Sequence, residues 1–343
     1  MSESALLLTD LPAEMKEKIA NELDYKSKMS LRQVSKDFKK AVDNSEFFYT
    51  SLSLNWDYNQ KRISISLQTD NASIPNLVEE LKFQAFANGF TVTNKYKNWE
   101  KSVKRSDYNY IDGAMERFWK ILKHRNRAKI HIKYLGVTLQ DEYILDEDFP
   151  GQLSQIKEKL KMDPTVKDSQ KLSVRYVLCQ LDNEPNTYLN LLLCLKPGTI
   201  DDFSMFPSTH FQSGPRAFPV IDMTEIVRTE QWKQANTFQA DNCHLEPKCL
   251  GSCHHKEMEY SVRRVELNDI MQIIENFFSN FKLNKIIIGC KNIEFEAIAT
   301  HFSQFNPHVI RHNRGLTMTA TIRRGRDACE IKIYSDGIFV TRV

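Results

Sequence analysis

Apolar residues recur at helical spacing near the amino end of the sequence, and this pattern constrains the fold there more than any other feature. Leu11, Met15, Ile19 and Leu23 lie four residues apart, which places them on one face of a helix. Pro12 suits a first helical turn, where its missing N–H has no intrahelical partner to lose. The spacing therefore predicts a first amphipathic helix with one apolar stripe.

A second apolar set follows an interruption at residues 24–25. Ser27 suits the cap of the next helical segment, because its hydroxyl can accept a hydrogen bond from a free backbone N–H. Lys28 and Lys36 fall between the apolar positions, so we expect them on the solvent side. The apolar positions are Leu31, Val34, Phe38, Ala41 and Val42. Together the two sets predict a compact group of helices over residues 9–44.

Beyond residue 50 the pattern changes to mixed segments. Residues 51–56 and 62–67 alternate polar and apolar side chains, which is typical of half-buried strands joined by a turn at 57–61. Helix-like and strand-like segments then take turns, and residues 316–342 predict an antiparallel meander. Helices are expected at 77–86, 114–123, 152–160, 187–195, 224–234 and 267–281.

The predicted fold class is α+β: a small three-helix piece, then alternating helix and strand units, then antiparallel strands. Alternating units of this kind form either a curved solenoid of the leucine-rich-repeat type or an open α/β sheet. A chain of 343 residues exceeds the usual size of one domain. We therefore expect two units or one extended repeat-like body, and the change of pattern after residue 50 divides the chain into residues 1–50 and residues 51–343.

Composition and charge narrow the class of protein. A hydrophobic fraction of 41% and a charged fraction of 27% are typical of a globular chain. The net charge of +3 is too small to indicate nucleic acid or an anionic membrane as a partner. No segment resembles a signal peptide or a membrane span, and seven cysteines do not suggest a disulfide framework. These features predict a protein of the cytoplasm, the nucleus or both, with no membrane partner.

The order of motifs in the first forty residues is more specific than any single one. It comprises a Leu-Pro-x-Glu start, apolar residues four apart, a Leu-Asp break, and a Leu-Arg-x-Val-Ser segment that leads to an aromatic residue. The positions that fill it are Leu11, Pro12, Glu14, Leu23, Asp24, Leu31, Arg32, Val34, Ser35 and Phe38. This segment resembles an F-box. It departs from the family pattern at Phe38, where Trp is more usual, and at residues 26–28, which are more polar than the common apolar pair.

The resemblance implies a partner and a set of binding residues. In F-box proteins the partner is a Skp-family linker protein, which joins the cullin scaffold of a ubiquitin ligase. The residues that the resemblance places at or beneath this interface are Leu11, Pro12, Met15, Ile19, Leu23, Leu31, Val34 and Phe38. The alternative is that the same stripe is the ordinary core of a helical subdomain, because spacing alone does not separate the two.

Two later segments carry a second resemblance. They are Thr-Glu-Gln-Trp-Lys-Gln-Ala at 229–235 and Leu-Cys-Leu-Lys-Pro-Gly-Thr-Ile at 193–200. With the closing strands, they make residues 51–343 similar to the FTH domain that follows the F-box in a large nematode family. The resemblance implies a domain that recognises a target protein and has no known active site. Trp232 is expected to be a packing anchor.

Residues 243–255 hold a cluster of cysteines and histidines that could supply zinc ligands. Its members are Cys243, His244, Cys249, Cys253, His254 and His255. The spacings Cys-x5-Cys and Cys-x3-Cys differ from the paired Cys-x2-Cys knuckles of zinc sites. A polar loop that contains cysteines is the preferred interpretation, so no metal site and no cofactor is expected; a zinc enzyme is the alternative.

Residues 95–133 hold twelve Lys or Arg and four Asp or Glu. Interleaved aromatic residues could stack on bases, which makes a nucleic-acid-binding module the alternative function. These aromatic residues are Tyr96, Trp99, Tyr108, Tyr110 and Trp119. The preferred interpretation is a solvated face, balanced by the acidic residues of 141–148. If the stretch binds a ligand, an acidic or phosphorylated protein segment is as reasonable as RNA.

Catalytic signatures are missing from the sequence. It contains no phosphate-binding loop, no Gly-x-Ser-x-Gly, no His-Glu-x-x-His and no dinucleotide fingerprint. We therefore expect no catalytic residue and no enzyme. The sequence instead predicts an adaptor of an SCF-type ubiquitin ligase, which raises the concentration of a target protein near the ligase.

Overall fold

The computed structural model describes residues 8–23, 25–69, 77–96, 99–106, 109–122, 130–140, 149–160, 171–181, 184–207, 220–312 and 315–343. Contacts divide the chain into two compact units. The first unit runs to Arg175 and includes Cys194–Lys196, and the second comprises Tyr176–Leu193 and Pro197–Val343. Within the ranges above, no helix has the length and apolar character needed to cross a bilayer.

The first unit begins with a short 3₁₀ turn, Leu8–Asp10, and three helices. The helices are α1 Ala13–Glu22, α2 Tyr25–Leu31 and α3 Lys36–Asp43. Ser35 caps α3, because its hydroxyl accepts a hydrogen bond of 3.2 Å from the backbone N–H of Phe38. The predicted group of three helices is confirmed. The prediction of Ser27 as a cap is wrong, since Ser27 lies inside α2.

The first unit continues with six strands, whose order is β6-β1-β2-β3-β4-β5. They are β1 Phe47–Asp57, β2 Arg62–Thr69, β3 Leu77–Phe86, β4 Gly89–Tyr96, β5 Trp99–Arg105 and β6 Ile130–Gln140. β1 and β6 are parallel, and the other neighbours are antiparallel. Two helices accompany the sheet, α4 Tyr110–Leu122 and α5 Phe149–Leu160. Trp56 and Phe118 are fully buried in this unit.

The helix predicted at residues 77–86 is wrong, because the segment is strand β3. Its Leu, Glu, Lys and Ala residues favour a helix in isolation. In the sheet, however, Leu81 and Phe83 are buried at every second position, while Glu80 and Lys82 are half-buried between them and form an ion pair of 3.2 Å. Pairing with β2 on one side and β4 on the other overrides the local preference.

The second unit is also built on a mixed sheet, in the order β7-β8-β10-β12-β13-β17-β16-β15-β14. The strands from β7 to β13 are parallel, and those from β13 to β14 are antiparallel. They are β7 Ser173–Leu181, β8 Asp202–Pro207, β10 Thr237–Ala240, β12 Glu257–Val265, β13 Lys285–Ile293, β14 His308–His312, β15 Gly315–Arg324, β16 Asp327–Ile333 and β17 Gly337–Arg342. A small parallel pair, β9 Ile221–Asp222 and β11 Cys243–His244, stands apart.

Helices connect the parallel strands of the second unit, as parallel pairing requires. They are α6 Pro185–Leu193, α7 Glu230–Lys233 and α8 Leu267–Ser279. A further helix, α9 Phe295–Phe302, leads from β13 to β14 in the antiparallel part of the sheet. Helix α8 begins with a capping box between Glu266 and Asp269, and it buries Ile270, Ile274 and Phe277 on one face. The predicted helices of 187–195 and 267–281 are confirmed, as are those of 114–123 and 152–160 in the first unit.

The predicted α+β class and the closing antiparallel strands are confirmed. The turn between β15 and β16 contains Gly325 at a φ of +63°, a left-handed conformation that favours glycine. The helix predicted at 224–234 is much shorter: it consists of a 3₁₀ turn, Ile226–Arg228, and the four residues of α7. The solenoid is not confirmed, because both units contain antiparallel hairpins in mixed sheets.

Candidate partner-binding site in the N-terminal helices

Phe38 is the centre of packing among α1, α2 and α3. Its side chain is fully buried, as are those of Ala20 and Val42, and Leu31 is 8% exposed. The Nζ of Lys16, on α1, lies 5.7 Å from the centre of the Phe38 ring. Burying a side chain the size of Phe or Leu stabilises a fold by about 1.5–3 kcal/mol. Phe38 and Leu31 therefore lie beneath the surface of the helices.

Polar contacts fix the three helices against one another. Nδ2 of Asn44 donates to Oε1 of Glu17 at 3.0 Å, which ties the end of α3 to α1. Nε of Arg32 donates to Oδ1 of Asp43 at 2.6 Å. This hydrogen bond raises the pKa of the Arg32 guanidinium above its ordinary value. The helices thus form a braced surface, on which exposed side chains have defined positions.

Several of the predicted binding residues lie on that surface. Met15 is 52% exposed and Val34 is 58% exposed, and Leu8, outside the predicted set, is 50% exposed. Pro12 is exposed at the start of α1, where its carbonyl accepts the N–H groups of Met15 and Lys16 at 3.1 Å each. Three more are half-buried: Leu11, Ile19 and Leu23. Asp24, which belongs to the motif, lies outside the described residues.

Two lysines lie in the core of the helices, although the sequence pattern does not predict this. Lys28, expected on the solvent side, is only 3% exposed, so that expectation is wrong. Its Nζ donates to the carbonyl of Glu46 and lies 5.2 Å from the centre of the Phe47 ring. Lys16 is 6% exposed and pairs with Asp37 at 3.3 Å. Sequence spacing gave no signal for either contact, because the partners lie eighteen and twenty-one residues away.

Three of the six cysteines and histidines of residues 243–255 are packed in the core, whereas His244 and His254 are exposed and Cys249 is half-buried. Cys243, Cys253 and His255 are buried. Burial raises the pKa of Cys243 to about 12 and that of Cys253 to about 11, so both thiols are protonated at neutral pH. The His255 ring packs edge-on against Trp232 at 4.5 Å. Among the residues that the structure describes, no group of three or more His, Cys, Asp or Glu is arranged to hold a metal ion.

The aromatic residues of 95–133 do not act as one surface. Tyr110 is buried, and its hydroxyl accepts from Trp56 Nε1 at 3.2 Å and donates to Gln152 at 2.8 Å. Burial raises its pKa. Nε1 of Trp119 donates to a backbone carbonyl, that of Lys159, at 2.6 Å. Trp99 alone of these three is largely exposed, at 53%. Tyr108 and the acidic residues of 141–148 lie outside the described residues.

Comparison with known families agrees with these features. The family model of the F-box domain matches residues 8–50, and that of the FTH domain matches residues 161–306. No curated protein and no solved structure matches the chain. The two matches confirm the expected F-box and FTH domain, both of which are typical of non-enzymatic adaptors of ubiquitin ligases. The chain therefore belongs to the family of proteins that join an F-box to an FTH domain.

Proposed function

We propose that this protein is a substrate-recognition adaptor of an SCF-type ubiquitin ligase. Residues 1–50 bind a Skp-family linker protein, which is held by a cullin scaffold, and residues 51–343 bind a target protein. The observation that supports this most directly is the exposure of Met15 on α1, at 52%, and of Val34 in the turn before α3, at 58%, beside helices whose other apolar side chains are packed. Such apolar exposure is typical of a surface that another protein covers.

The free energy gained by burying these apolar side chains is sufficient for a stable interface. Burying a Leu-, Val- or Met-sized side chain contributes about 1.5–3 kcal/mol. Leu11, Pro12, Met15, Ile19 and Val34 all retain accessible surface. Their combined burial would offset the cost of association, which is about 4–15 kcal/mol. Phe38, Leu31 and Leu23 act from beneath or beside this surface by holding the helices in place.

The adaptor makes and breaks no covalent bond. It raises the effective concentration of the target at the ligase, and tethering of this kind increases overall affinity without new contacts. This role requires two independent binding surfaces on one chain. The proposal therefore places linker binding in the F-box and target binding in the remainder, including the FTH domain at 161–306.

Calorimetric titration of the full chain with a purified Skp-family linker tests the first surface. We expect the double variant Met15→Glu, Val34→Glu to weaken linker affinity by about a hundredfold, because two apolar contacts are lost and two charges are buried. Its thermal midpoint should stay close to that of the wild type, since both side chains are exposed. A second variant, Leu11→Ala with Pro12→Ala, should abolish linker binding.

The matched control is Leu178→Glu with Val309→Glu. These side chains are 47% and 50% exposed on strands β7 and β14 of the second unit. The control introduces the same charges at similarly exposed apolar positions, and linker affinity should be unchanged. Equal linker affinity for the F-box variant and the control variant would refute the proposal.

A further inference from the structure

A groove runs along the last strand of the first unit's sheet and has a volume of about 560 Å³. Its floor is apolar and includes Phe83 of β3 and Phe90 and Val92 of β4. One wall is strand β5 and the other is helix α4. We call this feature the β5 groove. It lies outside both matched ranges, 8–50 and 161–306.

The groove exists because α4 covers only part of the sheet. The helix packs on β2, β3 and β4. Gly113 allows it to approach closely: a Cβ on Gly113 would lie 2.8 Å from Cζ of Phe90. Beyond this contact the sheet continues to β5, where every residue is exposed. The inner face of β5 is therefore left open beside the helix.

Strand β5 also ends the sheet. It pairs with β4 from Tyr96↔Trp99 to Phe90↔Arg105, and no described strand pairs with its other side. Edge strands present backbone N–H and C=O groups that can pair with an added strand. Recognition by strand addition combines such backbone hydrogen bonds with pockets for alternate side chains. The free edge of β5 offers the first element, and the β5 groove beside it offers the second.

The side chains of β5 that line the groove alternate in character. Trp99 and Val103 are apolar, and Lys101 and Arg105 are basic. Alternate residues of a strand point to the same face and lie about 6.5–7 Å apart. Opposite β5, helix α4 contributes Arg117 and one acid, Glu116, so the charged lining residues carry a net charge of +2 (three basic, one acidic). None of the three basic side chains has an ion-pair partner among the described residues.

We propose that β5, together with the rim of the β5 groove, binds an extended acidic segment of the target protein. The segment adds to β5 as a further strand, and its inward side chains alternate between apolar and acidic. The apolar ones lie beside Trp99 and Val103, and the acidic ones lie beside Lys101 and Arg105. The identification of the occupant as the target rests on the proposed adaptor function, whereas the binding chemistry does not.

The geometry favours a peptide over nucleic acid and over a second copy of this chain. A phosphate backbone accepts hydrogen bonds but cannot donate to the carbonyls of an open strand edge. The stacking platform that single-stranded nucleic acid needs is also reduced, because Tyr110 is buried and Trp119 is half-buried with its Nε1 bonded to a backbone carbonyl. A second copy would bring the same basic face, Lys101 and Arg105, against itself.

Fluorescence anisotropy with a labelled peptide tests the proposal on the purified full chain, with no linker protein present. The probe is Val-Thr-Glu-Thr-Val-Thr-Glu, whose alternate residues present Val and Glu to one face. A second peptide replaces both Glu residues by Lys. We expect saturable binding of the acidic probe and at least about tenfold weaker binding of the basic one. The double variant Lys101→Glu, Arg105→Glu should weaken binding of the acidic probe by about tenfold or more.

The matched control for this variant is Lys104→Glu, which changes a charge on the opposite face of the same strand. Lys104 lies 5.9 Å from the Phe86 ring and does not line the groove, so probe affinity should change less than threefold. A probe N-methylated at alternate amides should bind more weakly, because it lacks donors for strand pairing.

Three outcomes would overturn the proposal. The first is no saturable binding of the acidic probe, and the second is binding that is equal for both peptides. The third is that Lys101→Glu with Arg105→Glu abolishes binding of oligouridine RNA, or dissociates a dimer seen by sedimentation, while probe binding is unaffected. The Met15→Glu, Val34→Glu variant must retain probe binding, and the β5 variants must retain linker binding. Failure of one proposal is therefore distinguishable from failure of the other.

Discussion

The F-box and the FTH domain each place a fully buried aromatic residue three positions after a capping hydroxyl. Ser35 Oγ accepts the N–H of Phe38, and Thr229 Oγ1 accepts the N–H of Trp232, both at 3.2 Å. Both aromatic side chains have no accessible surface. In both domains, therefore, a hydroxyl cap begins a short helix and an aromatic side chain of the first turn is buried in the core.

The two anchors differ in what surrounds them. Lys16 lies over Phe38 and keeps its charge at the surface through Asp37, whose side chain is 75% exposed. His255 packs against Trp232, is fully buried, and burial lowers its pKa to about 3. The F-box helices also leave apolar side chains such as Met15 exposed. The comparison indicates that Phe38 packs beneath an exposed apolar surface, which is the proposed linker-binding surface, whereas Trp232 packs in a closed core.

The largest effect on stability is expected when either buried aromatic side chain, Phe38 or Trp232, is removed. Phe38→Ala and Trp232→Ala should each lower the free energy of unfolding of their region by about 3–5 kcal/mol, because each leaves a cavity. Hydrogen exchange of residues 36–43 and 230–240 during urea titration localises each effect. Only Phe38→Ala should also weaken binding of the linker. A loss below about 1 kcal/mol for Trp232→Ala would mean that its ring is not an anchor.

Acid should destabilise the two regions unequally. His255 is neutral in the fold, with a pKa of about 3 against an ordinary value of 6.5, so the unfolded chain binds its proton first as the pH falls. Its contribution is complete above pH 6.5 and is lost progressively between pH 6.5 and pH 3. From pH 7 to pH 5 the loss is about 2 kcal/mol.

The variant His255→Phe keeps a ring beside Trp232 and removes the titration. The pH dependence of its free energy of unfolding between pH 7 and pH 5 should be shallower than that of the wild type by this amount. Identical slopes for the two proteins would show that His255 is charged, or solvated, in the folded state. The F-box helices serve as the internal reference, since no histidine lies within residues 8–50.

The F-box was predictable from the sequence because its determinants are local. Leu11, Met15 and Ile19 lie one helical turn apart, and the Ser35 cap stands three residues before its aromatic anchor. Spacing alone does not show which apolar residues of the stripe are buried and which remain exposed to solvent. Phe38 and Val34 belong to the same predicted stripe, yet one is fully buried and the other is 58% exposed.

The β5 groove was not predictable from the sequence, because it depends on partners far apart along the chain. Residues 77–86 favour a helix locally and become a strand only through pairing with β2 and β4. The sequence shows that residues 95–133 are basic. It does not show that Trp99 is exposed, or that Tyr110 is buried against Trp56, fifty-four residues away. Long-range pairing decides which of these side chains can meet a ligand.

Removing the capping hydroxyls should have smaller effects. Ser35→Ala should lower the free energy of unfolding by about 1 kcal/mol, since one backbone N–H loses its acceptor. Thr229→Ala should cost somewhat more, because the Thr229 hydroxyl also donates to the carbonyl of Ile226 at 2.8 Å. Urea denaturation of the two variants measures the difference. A larger loss of stability for Ser35→Ala than for Thr229→Ala would contradict this prediction.

The smallest effect on stability is expected on the exposed surface of the F-box. Val34→Thr should change the free energy of unfolding by less than about 0.5 kcal/mol, because the side chain is mostly in solvent. The same change at Val265, which is 2% exposed in the second unit, is the matched control and should cost about 1–3 kcal/mol through burial of a hydroxyl. The two substitutions are chemically identical, so urea titration compares only the sites. If Val34→Thr lowered the free energy of unfolding as much as Val265→Thr, Val34 would be part of a closed core. The contrast between an exposed F-box surface and a closed FTH interior would then be wrong.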